Sequence, residues 1–248
     1  MNTIKSFIPN FITLLNLLMG CIGVYFAMEG ELITAAYCSA LGIFFDFFDG
    51  LAARLFKVSS ELGKQLDSLA DLVTSGLVPA LVVFQMISEK QVSVAGFEVS
   101  FMNNSNWMAF LAFFITLGSA YRLAKFNIDE NQTDKFIGLP TPANAILILS
   151  LPFILKYEDI SWLNEIILND IFLLVLSFGS VFLLNMKVEL FSLKLKSFKF
   201  SENKTVFLFL IFSIVGLIVL QFVAILIIIL SYIIVSVLTK KKSVKDLP

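Results

Sequence analysis

The stretch that decides the fold is DFFDGLAARLFKVSSELGKQLDSLAD, residues 46–71, because it sets carboxylates against long apolar runs. Four aspartates lie in it: Asp46, Asp49, Asp67 and Asp71. The apolar run YCSALGIFF precedes the first pair, and LVTSGLVPALVVF follows the second. Charged side chains within a bilayer are expensive, face the protein interior and mark functional sites. The sequence therefore predicts a functional site between two neighbouring membrane helices.

The composition predicts an all-α, polytopic membrane protein. Of the 248 residues, 58 % are hydrophobic, and the mean hydropathy is +0.90. A soluble domain of this length would carry far more polar surface. The apolar blocks approach the roughly 20 residues that a membrane-spanning helix needs. A membrane β-barrel would instead show alternating segments of about 10 residues.

Other features of the composition limit the chemistry. The net charge of −1 gives no indication of a nucleic-acid partner. The chain contains no histidine, so a general base must be another group, and a carboxylate is the candidate. Cys21 and Cys38 lie in apolar runs, where cysteine behaves as a small hydrophobic residue. They suggest neither a disulfide framework nor a thiolate metal site.

The hydropathy pattern predicts eight helical spans, at about 11–28, 32–55, 66–87, 106–125, 141–156, 170–187, 205–219 and 222–239. Pro9 is expected to mark the break before the first span, with residues 1–9 at the membrane interface. A single helix over 205–239 would be about 52 Å long at 1.5 Å per residue, well beyond a hydrocarbon core of about 30 Å. A tight hairpin near Gln221 is therefore predicted.

The basic residues predict the orientation. With eight spans, every Lys and Arg except Lys90 and Lys156 falls on the side of the two termini. The positive-inside rule places that side in the cytoplasm. The expected location is a prokaryotic-type inner membrane. The basic loop 187–204 and the tail at 240–245 either bind anionic lipid or only fix the topology. The N-terminus lacks a small-residue cleavage pattern and is expected to be retained.

The spacing of the aspartates places them on two facing helix stripes. Positions three and four apart share a helix face, so Asp46, Asp49, Gly50 and Ala53 form one stripe. The second stripe consists of Gly63, Asp67 and Asp71. The joining turn is short, which predicts antiparallel neighbours. The small residues leave room beside the carboxylates for close helix packing or for a bulky ligand.

Four crowded carboxylates cannot all remain ionised without counter-charge. Two divalent ions would offset the charge, and oxygen-only ligands favour a hard ion such as Mg²⁺. Two such ions about 3.5–4 Å apart stabilise the attacking and leaving oxygens of a phosphoryl displacement. The sequence thus indicates a metal-assisted, phosphoryl-type transfer at the cytoplasmic membrane surface.

The full pattern is Asp46-x2-Asp49-Gly50-x2-Ala53-Arg54-x8-Gly63-x3-Asp67-x3-Asp71, and it resembles the signature of the CDP-alcohol phosphatidyltransferases at every fixed position. The resemblance implies two divalent ions, Mg²⁺ or Mn²⁺, held by the four aspartates, with Asp71 also acting as base. It implies a CDP-linked lipid donor and a hydroxyl acceptor. It also implies a six-helix core, so that residues 1–190 form the catalytic membrane domain. Residues 191–248 then add a basic loop, a transmembrane hairpin and a basic tail.

Further stretches resemble the bacterial and archaeal phosphatidylserine synthases of that family. They are PNFITLLNLLMG at 9–20, DSLADLVTSGLVPA at 67–80, YRLAKFN at 121–127 and FIGLPTPANA at 136–145. This resemblance implies CDP-diacylglycerol as donor and L-serine as acceptor. Glycerol 3-phosphate and inositol phosphate are alternative acceptors. A transporter or proton relay is the alternative from another class. Homodimers are common in the family, but the sequence indicates no dimer face.

The resemblance also suggests binding residues. The signature residues Gly50, Ala53, Arg54 and Gly63 are candidates for binding the nucleotide and phosphates of the donor, and Arg54 can pair with a phosphate. Asn10, Thr13 and Asn16 resemble a nucleotide-contacting face, or they form ordinary interhelical hydrogen bonds. Arg122, Lys125 and Asn127 are candidates for the serine carboxylate, with membrane anchoring as the alternative. The prolines of GLPTPANA are expected to start a helix next to the site.

Overall fold

The computed structural model of the chain describes residues 2–58, 60–88, 106–128, 137–188, 190 and 204–245. The predicted basic loop lies mostly outside these ranges, as do the loop around 88–105 and the last residues of the tail. Within the described ranges the chain is helical and contains no extended β-strand. The prediction of an all-α protein is confirmed.

Ten α-helices are described: α1 Asn2–Met28, α2 Leu32–Phe56, α3 Glu61–Asp71, α4 Val78–Ser88, α5 Phe114–Ile128, α6 Thr141–Tyr157, α7 Ser161–Ile167, α8 Asp170–Asn185, α9 Lys204–Leu220 and α10 Val223–Lys245. A π-helical segment, Leu72–Leu77, joins α3 to α4, and a 3₁₀ segment, Asn106–Phe113, leads into α5. α3, the π segment and α4 form one continuous span, Glu61–Ser88.

Local sequence features determine where the helices around the site begin and end. α2 ends at Lys57, whose left-handed backbone (φ 52°) lets its N–H donate to the carbonyls of Ala53 and Arg54. α3 begins at Ser60, whose hydroxyl accepts a hydrogen bond from the Gly63 N–H at 3.0 Å. α6 begins after Pro140, with a second proline in its first turn, as the sequence predicted for this stretch.

The span Glu61–Ser88 and helix α6 form the centre of the bundle. Most side chains of α4 are buried, and so are most from Asn144 to Ile154 on α6. α2 contacts α6 through the ring of Tyr37, which meets Phe153 edge-on at 5.1 Å. The outward faces of α1, α2 and α9 expose large apolar side chains, as expected for surfaces that meet lipid.

Small residues bring the helices close together around the π segment. Thr74 fits against two glycines: a Cβ at Gly20 of α1 would lie 2.5 Å from its Oγ1, and one at Gly42 of α2 would lie 2.5 Å from its Cγ2. Ser39 of α2 donates a hydrogen bond to the Thr74 carbonyl at 2.8 Å. Lipid tails are as apolar as the helix surfaces, so the hydrophobic effect does little to drive helix association in a membrane. Close packing and interhelical hydrogen bonds of this kind therefore hold the bundle together.

In the part of the chain that the structure describes, four helical stretches are long and apolar enough to cross a membrane: Phe7–Met28, Leu32–Phe56, Glu61–Ser88 and Trp107–Ile128. α7 and α8 are bent by 64° at their junction and would together make a fifth. Three shorter apolar helices are Thr141–Tyr157, Val206–Leu220 and Val223–Val237. Each predicted span thus coincides with an apolar helix. That the protein is a polytopic membrane protein is confirmed, whereas the crossing of all eight spans stays a prediction.

The expectation that Pro9 precedes the first helix is wrong. α1 runs from Asn2 through Pro9 without a break. A proline removes one backbone hydrogen bond from a helix, so this path costs the helix some stability. Pro9 itself is buried in the bundle. Tertiary packing of α1 therefore outweighs the local preference of proline.

The predicted hairpin near Gln221 is present. Gln221 adopts a left-handed backbone (φ 42°) between α9 and α10. The rings of Phe209 and Tyr232, on opposite sides of the turn, lie 5.8 Å apart, so the two helices are antiparallel. Phe222 stacks on Phe153 of α6 at 4.9 Å, which joins the hairpin to the bundle.

Candidate active site

Three of the four predicted aspartates converge between α2 and α3. One carboxylate oxygen from each of Asp46, Asp49 and Asp67 lies within 4.8 Å of the other two. Asp49 is buried, whereas Asp46 and Asp67 are partly exposed. Like charges this close repel one another, so the three carboxylates favour a counter-charge such as a bound cation.

The three carboxylates fit a divalent cation. They offer oxygen ligands only, which hard ions such as Mg²⁺ prefer. Thr13 fixes one of them, since its hydroxyl donates to Asp49 Oδ2 at 2.5 Å. Asp46, Asp49 and Asp67 are therefore the residues that could hold a metal ion.

Asp71 lies one helical turn further into the bundle and outside this group of three. Its side chain is 8 % exposed, and Oδ1 accepts a hydrogen bond from Asn16 Nδ2 at 3.4 Å. It is near enough to Asp67 and Asp49 to interact with them electrostatically, and it also interacts with Arg122 of α5. Asp71 thus connects the aspartate cluster to the polar groups of α5.

A cavity of about 270 Å³ opens beside the aspartate cluster. Its walls come from α1, α2, the turn after α2 and the start of α3. The lining residues are Pro9, Asn10, Thr13, Asp49, Gly50, Ala53, Val58, Ser60, Gly63, Lys64 and Asp67. Five of them are the predicted nucleotide-side residues Asn10, Thr13, Gly50, Ala53 and Gly63, which the structure brings together.

The two signature glycines differ in their surroundings. A Cβ at Gly50 would meet nothing within 4 Å, so this glycine keeps space free in the cavity. A Cβ at Gly63 would lie 3.0 Å from Asn10 Oδ1, so this glycine lets α3 approach α1. Arg54 is placed on the outside, where its Nε donates to the Gly50 carbonyl at 3.0 Å. Asn16 lies deeper than the cavity, on Asp71.

The three predicted acceptor-side residues of α5 are divided between two environments. Arg122 donates to Thr141 Oγ1 of α6 at 2.9 Å. Arg122 and Lys125 also border a small cavity of about 20 Å³. Asn127 instead contacts α3: its amide nitrogen donates to Ser68 Oγ at 2.9 Å, and its carbonyl accepts from Lys64 Nζ. It joins the end of α5 to the helix that carries Asp67 and Asp71.

The sequence interpretation missed several polar residues of this region. Lys64 lines the cavity, and its place directly after Gly63 could have indicated this. Thr141 partners Arg122, and Asn144 follows one turn later, fully buried. Both are polar residues at the start of an otherwise apolar helix, which is the signal that could have identified them.

The π segment directly after Asp71 was also not foreseen. Here the Val78 N–H donates to the carbonyl of Val73 instead of the α-helical partner. π-Helical turns inside α-helices are often found at functional sites. In this chain the segment carries Thr74, whose hydroxyl donates to the Asn16 carbonyl at 3.2 Å and so supports the residue that holds Asp71.

The CDP-alcohol phosphatidyltransferase family matches residues 6–181, which include every helix that lines this site. The chain therefore belongs to the CDP-alcohol phosphatidyltransferase family. This confirms the resemblance on which the sequence interpretation relied.

Among curated proteins, the chain is similar to enzymes named CDP-diacylglycerol–serine O-phosphatidyltransferase. The protein of Bacillus subtilis (strain 168) is 32 % identical over 148 residues, covering 60 % of this chain and 76 % of that protein. The protein of Helicobacter pylori (strain J99) is 33 % identical over 143 residues, covering 57 % and 55 %. The protein of Saccharomyces cerevisiae is 34 % identical over 163 residues, covering 59 % and 54 %. The chain thus matches just over half the length of the last two relatives.

Proposed function

We propose that this protein transfers the phosphatidyl group of CDP-diacylglycerol to the hydroxyl of L-serine. The serine oxygen forms a bond to the phosphatidyl phosphorus, and the bond from that phosphorus to the bridging oxygen of the pyrophosphate breaks. The products are phosphatidylserine and CMP. The hydroxyl proton passes to a base of the protein, and the electron pair of the broken bond leaves with CMP.

The observation that carries the proposal is the aspartate cluster beside the cavity of about 270 Å³. Three carboxylate oxygens within 4.8 Å suit cations that bind a pyrophosphate. Apart from Lys64, the adjoining wall is built of uncharged residues, most of them small, which leaves space for the nucleotide. The names of the similar proteins support CDP-diacylglycerol as donor and serine as acceptor.

Two divalent ions, Mg²⁺ or Mn²⁺, would be held by Asp46, Asp49, Asp67 and Asp71. Bound there, they would supply charge neutralisation of the pyrophosphate and so make CMP a better leaving group. The protein's own contribution begins with Thr13, which fixes the orientation of Asp49 by its hydrogen bond. Asn10, which lines the cavity, and Arg54, which lies outside it one turn after Gly50, would contact the donor's nucleotide and phosphates.

Asp71 would accept the serine hydroxyl proton. It is buried at the inner end of the aspartate group, where a base can be shielded from water. Asn16 orients the carboxylate by donating to Oδ1. Arg122 and Lys125 would bind the serine carboxylate from α5, while Asn127 would position α5 against α3.

We further propose that the site and both termini face the cytoplasm of a prokaryotic-type cell, at the inner membrane. The distribution of lysine and arginine supports this orientation. The division into a catalytic domain at 1–190 and an addition at 191–248 is part of the same proposal, as is a homodimer.

An acceptor panel tests the function. Membranes containing the protein are given CDP-diacylglycerol, Mg²⁺ or Mn²⁺, and labelled serine, glycerol 3-phosphate or inositol phosphate in turn. We expect labelled lipid and CMP in equal amounts with serine, and loss of both when EDTA removes divalent ions. Labelled lipid from another acceptor, with none from serine, would contradict the proposal.

A further inference from the structure

Asn144 is a buried amide whose hydrogen-bonding capacity is unused. The residue is fully buried on α6. Neither Nδ2 nor Oδ1 has a hydrogen-bond partner in the described part of the chain. Buried polar side chains nearly always have partners, and one left unpaired destabilises the protein. An asparagine with both amide atoms unpaired in the middle of a bundle therefore calls for a ligand or ordered water.

Polar atoms without hydrogen-bond partners also occur on α5, which is joined to α6 next to Asn144. Thr141 lies three residues earlier, on the same face of α6, and accepts a hydrogen bond from Arg122. The Nε of Arg122 is itself without a partner among the described residues. Ser119 lies three residues before Arg122 on α5, fully buried, and its hydroxyl is also unpaired there.

The unpaired groups extend to the helix that carries the proposed base. Ser75 lies four residues after Asp71, is fully buried and has no partner for its hydroxyl within the described ranges. The adjacent Gly76 lies against Ser119, since a Cβ there would be 3.1 Å from the Cβ of Ser119. Asp71 and Arg122 also interact electrostatically. The unpaired groups thus lie on α5, α6 and the π segment; the Arg122–Thr141 hydrogen bond joins α5 to α6, and Gly76 packs the π segment against α5.

The chemistry of these groups indicates the kind of ligand. The guanidinium of Arg122 and the Nδ2 of Asn144 are donors, which suit a carboxylate. The Oδ1 of Asn144 is an acceptor, which suits an ammonium group. The phosphate of a phosphorylated alcohol needs donors and cations, so the amide oxygen could accept only from the hydroxyl groups of such an acceptor. A zwitterionic α-amino acid uses both halves of the amide.

We propose that Asn144 is a specificity-determining residue that binds the α-amino and α-carboxylate groups of the acceptor amino acid, beside Arg122. This inference rests on the proposed transfer to serine. Its distinctive consequence is that Asn144 contributes to acceptor recognition and not to donor binding, because the donor cavity is lined by residues of α1–α3 and the turn between them.

The test compares Asn144→Ala with the matched control Asn164→Ala. Asn164 of α7 also has an unpaired buried Oδ1 in the described chain, but α7 does not line the site. Membranes with each full-length variant are assayed for phosphatidylserine formation at saturating CDP-diacylglycerol and increasing serine. We expect the KM for serine to rise at least about tenfold in Asn144→Ala, as for a lost hydrogen bond to a charged group, with an unchanged KM for CDP-diacylglycerol. Asn164→Ala should match wild type.

A second readout separates binding from a merely structural role. 3-Hydroxypropanoate has the hydroxyl and carboxylate of serine but no ammonium, and ethanolamine has no carboxylate. Wild type should prefer serine over both as competitors, and Asn144→Ala should lose about tenfold of that preference. If Asn144→Ala does not fold, Asn144→Ser should show the same changes at smaller size, with folding checked by thermal unfolding in detergent.

The outcomes are distinct. Wild-type membranes that transfer nothing to serine would overturn the proposed function, and this inference with it. Wild-type transfer, together with an unchanged serine KM and unchanged preference in the Asn144 variants, would overturn this inference alone. That result would assign the unpaired amide to ordered water.

Discussion

The hairpins α2–α3 and α9–α10 have the same left-handed backbone conformation in their turns, but they differ in the side chains that lie between their two helices. Each turn holds a non-glycine residue in the left-handed region, Lys57 at φ 52° and Gln221 at φ 42°. They are the two such residues in the described ranges. Between α2 and α3 the facing side chains are carboxylates around an open cavity. Between α9 and α10 they are the rings of Phe209 and Tyr232.

The comparison shows that the turn makes two helices neighbours, while the facing stripes decide what lies between them. In α9–α10 a Cβ at Gly216 would be 3.7 Å from the Cβ of Ala224, so small residues close the space between the helices. In α2–α3 the equivalent small residue, Gly50, leaves space open. An apolar hairpin can close on itself, whereas carboxylates need a counter-charge and therefore a ligand.

The largest effect is expected from Asp71→Asn, which tests whether the polar hairpin carries the chemistry. Asparagine keeps the shape and a partner for Asn16 but cannot accept the serine proton. We expect the rate of phosphatidylserine formation to fall about 10²–10⁴-fold, the usual contribution of a general base. Binding of CDP-diacylglycerol, measured by its protection against thermal unfolding, should persist.

The matched control is Asp159→Asn, in the exposed connection between α6 and α7. It makes the same chemical change away from the site and should leave the rate unchanged. A near wild-type rate in Asp71→Asn would remove Asp71 from the role of base and would break the contrast between the two hairpins.

A smaller effect is expected from Gly50→Val, which fills the cavity that distinguishes α2–α3. The added side chain meets no protein atom within 4 Å at its Cβ, so the fold should persist. It would occupy space needed by the donor, and we expect the KM for CDP-diacylglycerol to rise about tenfold, which corresponds to about 1.4 kcal/mol. Initial rates at varied CDP-diacylglycerol measure this.

Gly179→Val is the control for this change. Gly179 lies on α8, and a Cβ there also meets nothing within 4 Å. The two variants therefore add the same group to a helix without a clash, and only one adds it to the cavity. Equal KM values in both would mean that the space beside Gly50 does not hold the donor.

Much of this fold follows from the sequence because membrane helices obey strong constraints. Long apolar blocks predicted the helices, and the length of the run 205–239 predicted the turn at Gln221. Helical spacing placed Asp46 and Asp49 opposite Asp67, because residues three and four apart share a face. These inferences use properties of single segments or of one short turn.

The features that were missed depend on contacts between distant segments. The π segment at Leu72–Leu77 has the same apolar character as an α-helix, so hydropathy does not distinguish the two. The path of α1 through Pro9 depends on packing that outweighs a local preference. The turn of Asn127 toward Ser68, and the absence of a described partner for Asn144, emerge only when α3, α5 and α6 are placed together.

The smallest effect is expected from Glu158→Ala, which tests the role of the apolar hairpin α9–α10. Glu158 Oε1 accepts a hydrogen bond from the backbone N–H of Phe222, at the turn of the α9–α10 hairpin. Removing this acceptor should lower stability by about 1 kcal/mol. For a chain of this size that corresponds to about 2–4 °C in the thermal unfolding midpoint. Glu158→Gln retains an oxygen acceptor at the same place and should restore most of the loss.

If the hairpin serves only to complete the bundle, the rate of phosphatidylserine formation below the unfolding midpoint should be the same in wild type, Glu158→Ala and Glu158→Gln. The aspartate cluster is built on α2 and α3, and the hairpin reaches the bundle mainly through α6. A fall in rate that follows the loss of the Glu158–Phe222 hydrogen bond would therefore show that α6 transmits the position of the hairpin to Thr141 and Asn144. The two hairpins would then act as coupled parts of one site, and the sharp contrast between them would not hold.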